Sequence, residues 1–228
     1  MSAEPGATSA LAAENALLAR RIYEFSYRNH LSHLGSCLSA VPIINEIFHA
    51  KQEDEKFILS SGHAGVALYL ILQHRYGLDA QAMLDAHGIH PSKDLPNQLH
   101  CSSGSLGCGL PIAVGHALAD RSKNVYVLIS DGESAEGSVW EALAFARNYK
   151  LTNLHVYVNI NGMSAYDHVD VPYLCERLQA FLPTINIRLT GHTSVPFAAG
   201  LKAHYYVLKE EDFEALKVQW AQADQAER

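Results

Sequence analysis

Ser130–Asp167 reads SDGESAEGSVWEALAFARNYKLTNLHVYVNINGMSAYD. A continuous apolar run, Val125–Ile129, leads into it and ends at a sharp Asp131-Gly132. Such a run is the mark of a strand buried on both faces of a parallel sheet. Ser134–Tyr149 then predicts a crossover helix, with Trp140, Leu143 and Ala144 available to face the sheet. Leu154–Val158 predicts the next strand, and Asn161-Gly162 closes the stretch. Strand, turn, helix, strand and loop put Asp131 and Asn161 at the ends of two strands. Two oxygen donors beside a helix N-terminus suit Mg²⁺ and a phosphate. Gly132 lets a backbone N–H approach a phosphate oxygen, and Met163 adds a backbone carbonyl. Asp-Gly and Asn-Gly are also ordinary turn dipeptides. The stretch alone therefore leaves open a metal–diphosphate clamp and a pair of plain turns.

The chain around it is α/β in pattern. Residues 1–10 predict a flexible arm, and residues 11–228 a single large domain. Leu11–Ser26 has Leu18, Ile22 and Phe25 at the spacing of one helix face. His30–Gly35 predicts a loop turning at Gly35, and Ser39–Ala50 a helix capped by Ser39 with Pro42 in its first turn. Lys56–Leu59 is a short strand, Ala64–Tyr76 a helix stopped by Gly77, and Asp79 the cap of a further short helix. Gly88–Gly109 has no regular period and is rich in glycine, serine and histidine, as functional loops are. Helices are also predicted over Leu110–Arg121, Val171–Phe181 and Glu211–Ala223, and a strand over Ile185–Leu189. Helices alternating with short apolar strands predict a mainly parallel sheet flanked by helices. Functional loops then belong at the carboxyl ends of the strands, where His63, Asp131 and Asn161 fall.

Composition excludes several classes of function. The formal net charge is −7 with no Lys/Arg cluster, which disfavours nucleic acid. The longest apolar run, Val66–Leu72, is far short of a membrane span. The small, polar N-terminus lacks a signal-peptide pattern, so a cytoplasmic protein without membrane contact is expected. Cys37, Cys101, Cys108 and Cys175 show neither zinc-ligand spacing nor a disulfide framework.

Four segments carry a family resemblance. Asp131 and Asn161 resemble the thiamine-diphosphate motif, a Gly-Asp-Gly followed some thirty residues on by Asn. SDGESAEGSVWEA resembles the transketolase form of that motif. FILSSGHAGVALYLIL (57–72), SSGSLGCGLPIAVGHALA (102–119) and SHLGSCLSAVPIINEIF (32–48) are similar to other transketolase segments, in the same order. The sequence departs from the family pattern at Ser130, Leu34 and Cys108, which stand for Gly, Pro and Gln. After Asp170 the resemblance fades, and residues 183–208 are only weakly similar.

The resemblance implies a thiamine-diphosphate-binding fold and residue roles within it. Asp131, Asn161 and the Met163 carbonyl would bind Mg²⁺, for which Ca²⁺ or Mn²⁺ can substitute. His63, Gly132 and Asn161 would hold the diphosphate, with Gly104 and Leu106 against the cofactor. Glu136 matches a glutamate that connects paired sites across the family's dimer. His33, His63, His90 and, on the weaker match, His204 would serve substrate chemistry; His100 is placed near the site by proximity alone. No residue matches the family's activating glutamate. The resemblance therefore points to the N-terminal subunit of a split transketolase, paired as α₂β₂ with a C-terminal transketolase subunit carrying the pyrimidine and C-terminal domains. The implied reaction moves a two-carbon ketol unit from a ketose phosphate to an aldose. The alternative is a specialised pathway with a 2-oxoacid donor or a carrier-bound acyl acceptor.

Overall fold

Four parallel strands lie in the order β1–β2–β3–β4, which is also their order in the chain. The structure, a computed structural model, describes residues 5–164, 167–190 and 204–226. Strands β1 (Lys56–Leu59), β2 (Val125–Ser130), β3 (Leu154–Ile160) and β4 (Asn186–Leu189) pair in register, with Leu59 opposite Leu128, Ser130 opposite Asn159 and Ile160 opposite Leu189. All six residues of β2 are buried, as its unbroken apolar run requires.

Alternation along the strands feeds two cores. Phe57, Leu59, Tyr126, Leu128 and Tyr157 point to one face. There they meet α1 (Pro5–Arg28), α2 (Leu34–Ala50) and α3 (Gly65–Tyr76). Ile58, Val125, Val127, Ile129, Val156 and Val158 point to the other, against α5 (Gly109–Ala119), α6 (Gly137–Asn148) and α7 (Val171–Phe181). Each fully buried aliphatic side chain of this kind contributes roughly 1.5–3 kcal/mol. The short α4 (Ala80–His87) is capped by Asp79, which accepts the N–H groups of Gln81 and Ala82. Gly77 ends α3 in the left-handed conformation, φ 69°. The closing helix α8 (Glu210–Ala226) returns to α1, where Phe213 stacks on Tyr27 at 4.3 Å and Asp224 pairs with Arg20.

Three predicted elements are corrected. Helix α1 starts at Pro5, so part of the predicted arm is helical; alanine-rich, small residues extend the helix beyond its apolar stripe. Helix α2 starts at Leu34 and holds Gly35 in its first turn. Ser39 does not cap it, and its hydroxyl donates back to the Ser36 carbonyl at 3.2 Å. Pro42 lies in the helix interior and leaves the Leu38 carbonyl without its helical donor. Burial of Leu34, Cys37, Leu38, Val41, Ile44 and Phe48 outweighs that loss. In α6 the buried face is Val139, Ala142, Leu143 and Ala146. Trp140 is turned aside, its indole N–H donating to the Ser134 carbonyl at 2.8 Å and Arg177 lying 4.0 Å from its ring. Ala165, Tyr166 and residues 191–203 lie outside the described residues. Among the described residues no helix is long and apolar enough to cross a membrane.

Candidate cofactor site at the carboxyl ends of the strands

The ends of β1, β2 and β3 form one edge, because the strands are parallel and in register. Asp131 follows β2 and is 2% exposed. Its Oδ2 accepts the N–H groups of Asn161 (2.9 Å) and Gly162 (2.7 Å), and its Oδ1 accepts that of Gly132 (3.0 Å). The Asn161 side-chain oxygen accepts the Met163 N–H at 2.9 Å. The structure thus gathers Asp131, Gly132, Asn161 and Met163 in one turn-and-loop pair. Burial pushes the Asp131 carboxyl up to about 6, against the pull of the three N–H donors.

The donor chemistry fits a hard cation with a diphosphate. A carboxylate offers about four lone-pair positions, and three N–H groups use three of them. The Asn161 oxygen likewise keeps one lone pair. Among the described residues no three His, Cys, Asp or Glu side chains converge as a metal centre. A cation here would therefore take carboxylate, amide and carbonyl oxygens together with phosphate oxygens, which is the coordination Mg²⁺ favours. The Ser103 hydroxyl, buried without a hydrogen-bond partner, adds a free donor beside Gly62.

At the same edge of the sheet, after β1, four histidines from four segments come together. His63 lies in the short 3-10 turn Gly62–Ala64 that follows β1. His33 precedes α2, His90 lies in the loop after α4, and His204 lies before α8. The His33 ring centroid is 4.4 Å from that of His204, 6.1 Å from His63 and 6.2 Å from His90. His33 holds a left-handed backbone, φ 64°, which costs a non-glycine residue on the order of 1 kcal/mol. Its N–H donates to the His204 carbonyl at 3.1 Å, and its Nδ1 lies 2.7 Å from Ser32 Oγ. Burial and the neighbouring imidazoles push His33 down to about 4 and His63 to about 3. Burial also lowers His204. Both His33 and His63 are therefore neutral at pH 7, each ring carrying one donor and one acceptor nitrogen.

Gly104 lies against His90, and a Cβ at Gly104 would stand 3.0 Å from that ring. Leu106 is half-buried two residues further on. Glu136 is exposed at the start of α6, beside Gly107. His100 is a correction. Its Nδ1 lies 3.2 Å from the Phe57 carbonyl, near the opposite end of β1 from the site, with Lys56 and His116 as neighbours. Proximity in the chain misled here because the loop runs back along the sheet. The carboxylate that sequence reasoning missed is Glu133, fully buried between β1, β2 and the Gly104–Gly109 segment. The sole signal was its place two residues after Asp131, where a turn would ordinarily be wet.

Residues 32–182 match the family described as "Transketolase, thiamine diphosphate binding domain". The transketolase of Pongo abelii is 37% identical over 155 residues, covering 59% of this chain and 25% of that protein. The chain thus matches about a quarter of that relative's length. One of the subunits of the apulose-4-phosphate transketolase of Phocaeicola vulgatus is 29% identical over 165 residues, covering 63% of this chain and 58% of that protein. The crystal structure of transketolase from Campylobacter jejuni superposes with a TM-score of 0.72 at 20% identity, over 92% of this chain and 42% of that chain. That likeness shows the fold. With most of the chain inside the family match, and with the Asp131 turn and the histidine cluster at its strand ends, the chain belongs to the transketolase family and carries its thiamine diphosphate binding domain.

Proposed function

We propose that this chain is the diphosphate-binding subunit of a two-component transketolase. The observation that carries the reading is that the Asp131–Asn161–Met163 turn-and-loop pair and the cluster of His33, His63, His90 and His204 both stand at the carboxyl edge of the sheet. Asp131, the Asn161 side chain and the Met163 carbonyl hold Mg²⁺, with Ca²⁺ or Mn²⁺ as substitutes. Gly132 and His63 hold the diphosphate, and Gly104 and Leu106 border the cofactor. Thiamine diphosphate, when bound, supplies the electron sink for carbon–carbon cleavage. The protein's part is to orient the donor sugar, exclude water and move protons at its hydroxyls. His33 and His63 suit the orienting part of that work, because each neutral ring offers one donor and one acceptor nitrogen to a hydroxyl. In this reading Glu136, exposed on this chain, meets a second copy.

The two-component arrangement is supported by the match to a protein whose own name makes it one of the subunits of a transketolase. Helix α5 also supports a partner. Apart from His116 it is apolar, and it leaves Ile112 and Leu118 about two-fifths exposed, at 41% and 39%. The partner carries the pyrimidine and C-terminal domains, in an α₂β₂ assembly in the cytoplasm. The reaction is ketol transfer from a ketose phosphate to an aldose. The test is a donor screen with the assembled complex, following loss of donor. Ketose phosphates, apulose 4-phosphate among them, should turn over. Turnover of 2-oxoacids alone would contradict the sugar-phosphate reading.

A further inference from the structure

Glu133 is 0% exposed, and the groups hydrogen-bonded to its carboxylate are all donors. Oε1 accepts the Ser60 hydroxyl at 2.6 Å and the Gly107 N–H at 2.9 Å, and Oε2 accepts the Ser130 N–H at 3.0 Å. Ser60 Oγ in turn accepts the Gly109 N–H at 3.1 Å. One carboxylate therefore ties the residue after β1, the last residue of β2 and two amides of the glycine-rich segment. Those are the segments that flank Gly62-His63, Asp131-Gly132 and Gly104–Leu106.

The surroundings leave little freedom. Gly107 has φ 77°, and a Cβ there would stand 2.5 Å from Ser138 Oγ. Ser138 Oγ itself donates to the Gly107 carbonyl at 2.9 Å. A Cβ on Gly109 would meet Ser60 at 2.6 Å. The segment is pressed onto the strand ends, and its amides are turned inward to Glu133. A buried carboxylate costs much more than an apolar side chain in such a place. What it does there is something an apolar residue cannot do, namely fix amide directions on two segments at once.

We infer that Glu133 is a positioning residue, holding the Gly104–Gly109 segment and the Asp131 turn at the fixed separation that thiamine diphosphate spans. This rests on the thiamine-diphosphate reading of the site. Glu133 does not touch the cofactor in this scheme; it acts through Gly107, Ser60 and Ser130.

The test uses the full chain as wild type, Glu133→Gln, Ser60→Ala and the double variant. Amide exchange without ligand comes first. Glu133→Gln sets an NH₂ against one of the N–H donors, so exchange should rise at least ~10-fold over 104–109 and at Ser130, with β3 and α7 unchanged. Calorimetry with Mg²⁺ then compares thiamine diphosphate with inorganic diphosphate, which would engage the Asp131 turn and His63 but not Gly104 and Leu106. Glu133→Gln should weaken thiamine diphosphate about 10-fold more than inorganic diphosphate. Ser60→Ala should do the same more weakly and keeps the test alive if the glutamine variant does not fold. The double variant should lose no more than Glu133→Gln. A uniform rise in exchange, or equal loss for both ligands, would overturn the positioning role. If wild type binds both ligands and Glu133→Gln matches it, the inference alone falls. If wild type binds neither, the cofactor reading falls and takes the inference with it.

Discussion

Asp131 accepts the backbone N–H of Asn161 at 2.9 Å, across 30 positions of the chain. The carboxylate proposed to bind the cation thus holds the loop bearing the second proposed ligand. Loop order and ligand binding are coupled through one side chain. Replacing Asn161 by alanine should remove a proposed metal ligand and the acceptor of the Met163 N–H. Saturating thiamine diphosphate with Mg²⁺, at about 100 times the dissociation constant, stabilises a protein by about 2.7 kcal/mol. For a chain of this size that is roughly 5–10 °C in melting temperature. Wild type should show this shift in a thermal melt, and Asn161→Ala should show less than half of it.

Gly62 is a point of close approach between the end of β1 and the glycine-rich segment. A Cβ there would stand 2.5 Å from the Gly104 nitrogen and 2.8 Å from Ser103 Oγ. Gly62→Ala must push the glycine-rich segment away from the end of β1. Overpacking of this kind costs about 1–3 kcal/mol. The urea midpoint should fall accordingly, and thiamine diphosphate affinity should fall with it. An unchanged midpoint would show that the segment yields freely.

The histidine cluster predicts a pH dependence of stability. His33 and His63 are pushed from the usual 6.5 down to about 4 and about 3. The folded state holds them neutral, so between 6.5 and those values the unfolded chain binds more protons. Their contribution is full above pH 6.5 and is lost as pH falls toward 4 and then 3. Each unit of depression corresponds to about 1.4 kcal/mol, less than additive in a cluster. His33→Asn keeps a residue that tolerates the left-handed backbone and removes one imidazole. Its urea midpoint should fall less steeply than that of wild type between pH 7 and pH 4.5.

Much of this was legible in the residues. The apolar runs Val125–Ile129 and Leu154–Val158 announced buried parallel strands, and helix α7 runs from Val171 to Phe181 as patterned. Asp131 and Asn161 fall at the strand ends because a parallel unit leaves them nowhere else. The failures have physical causes. Pro42 reads as a first-turn residue, yet burial of α2 holds it in the helix interior. His100 looked close because sequence distance says nothing about the direction of a loop. Glu133 was passed over because DGESAEG offers two glutamates, and pattern alone does not tell a buried carboxylate from a wet one.

The two-component proposal predicts that this chain alone does not perform ketol transfer. Adding the partner with the pyrimidine and C-terminal domains should restore it, with activity saturating as the partner reaches equal stoichiometry. Ketol transfer by the purified lone chain, followed by consumption of the ketose phosphate, would sink the split-site arrangement.

Asp131 is proposed to anchor a cation and, with it, a diphosphate. Calorimetric titration of thiamine diphosphate into wild type and Asp131→Ala, with and without Mg²⁺, tests it most directly. Binding should require Mg²⁺ in wild type and fall at least ~100-fold in the variant, as expected when a buried charged ligand group is lost. Equal binding by the variant, or binding indifferent to Mg²⁺, would contradict the account.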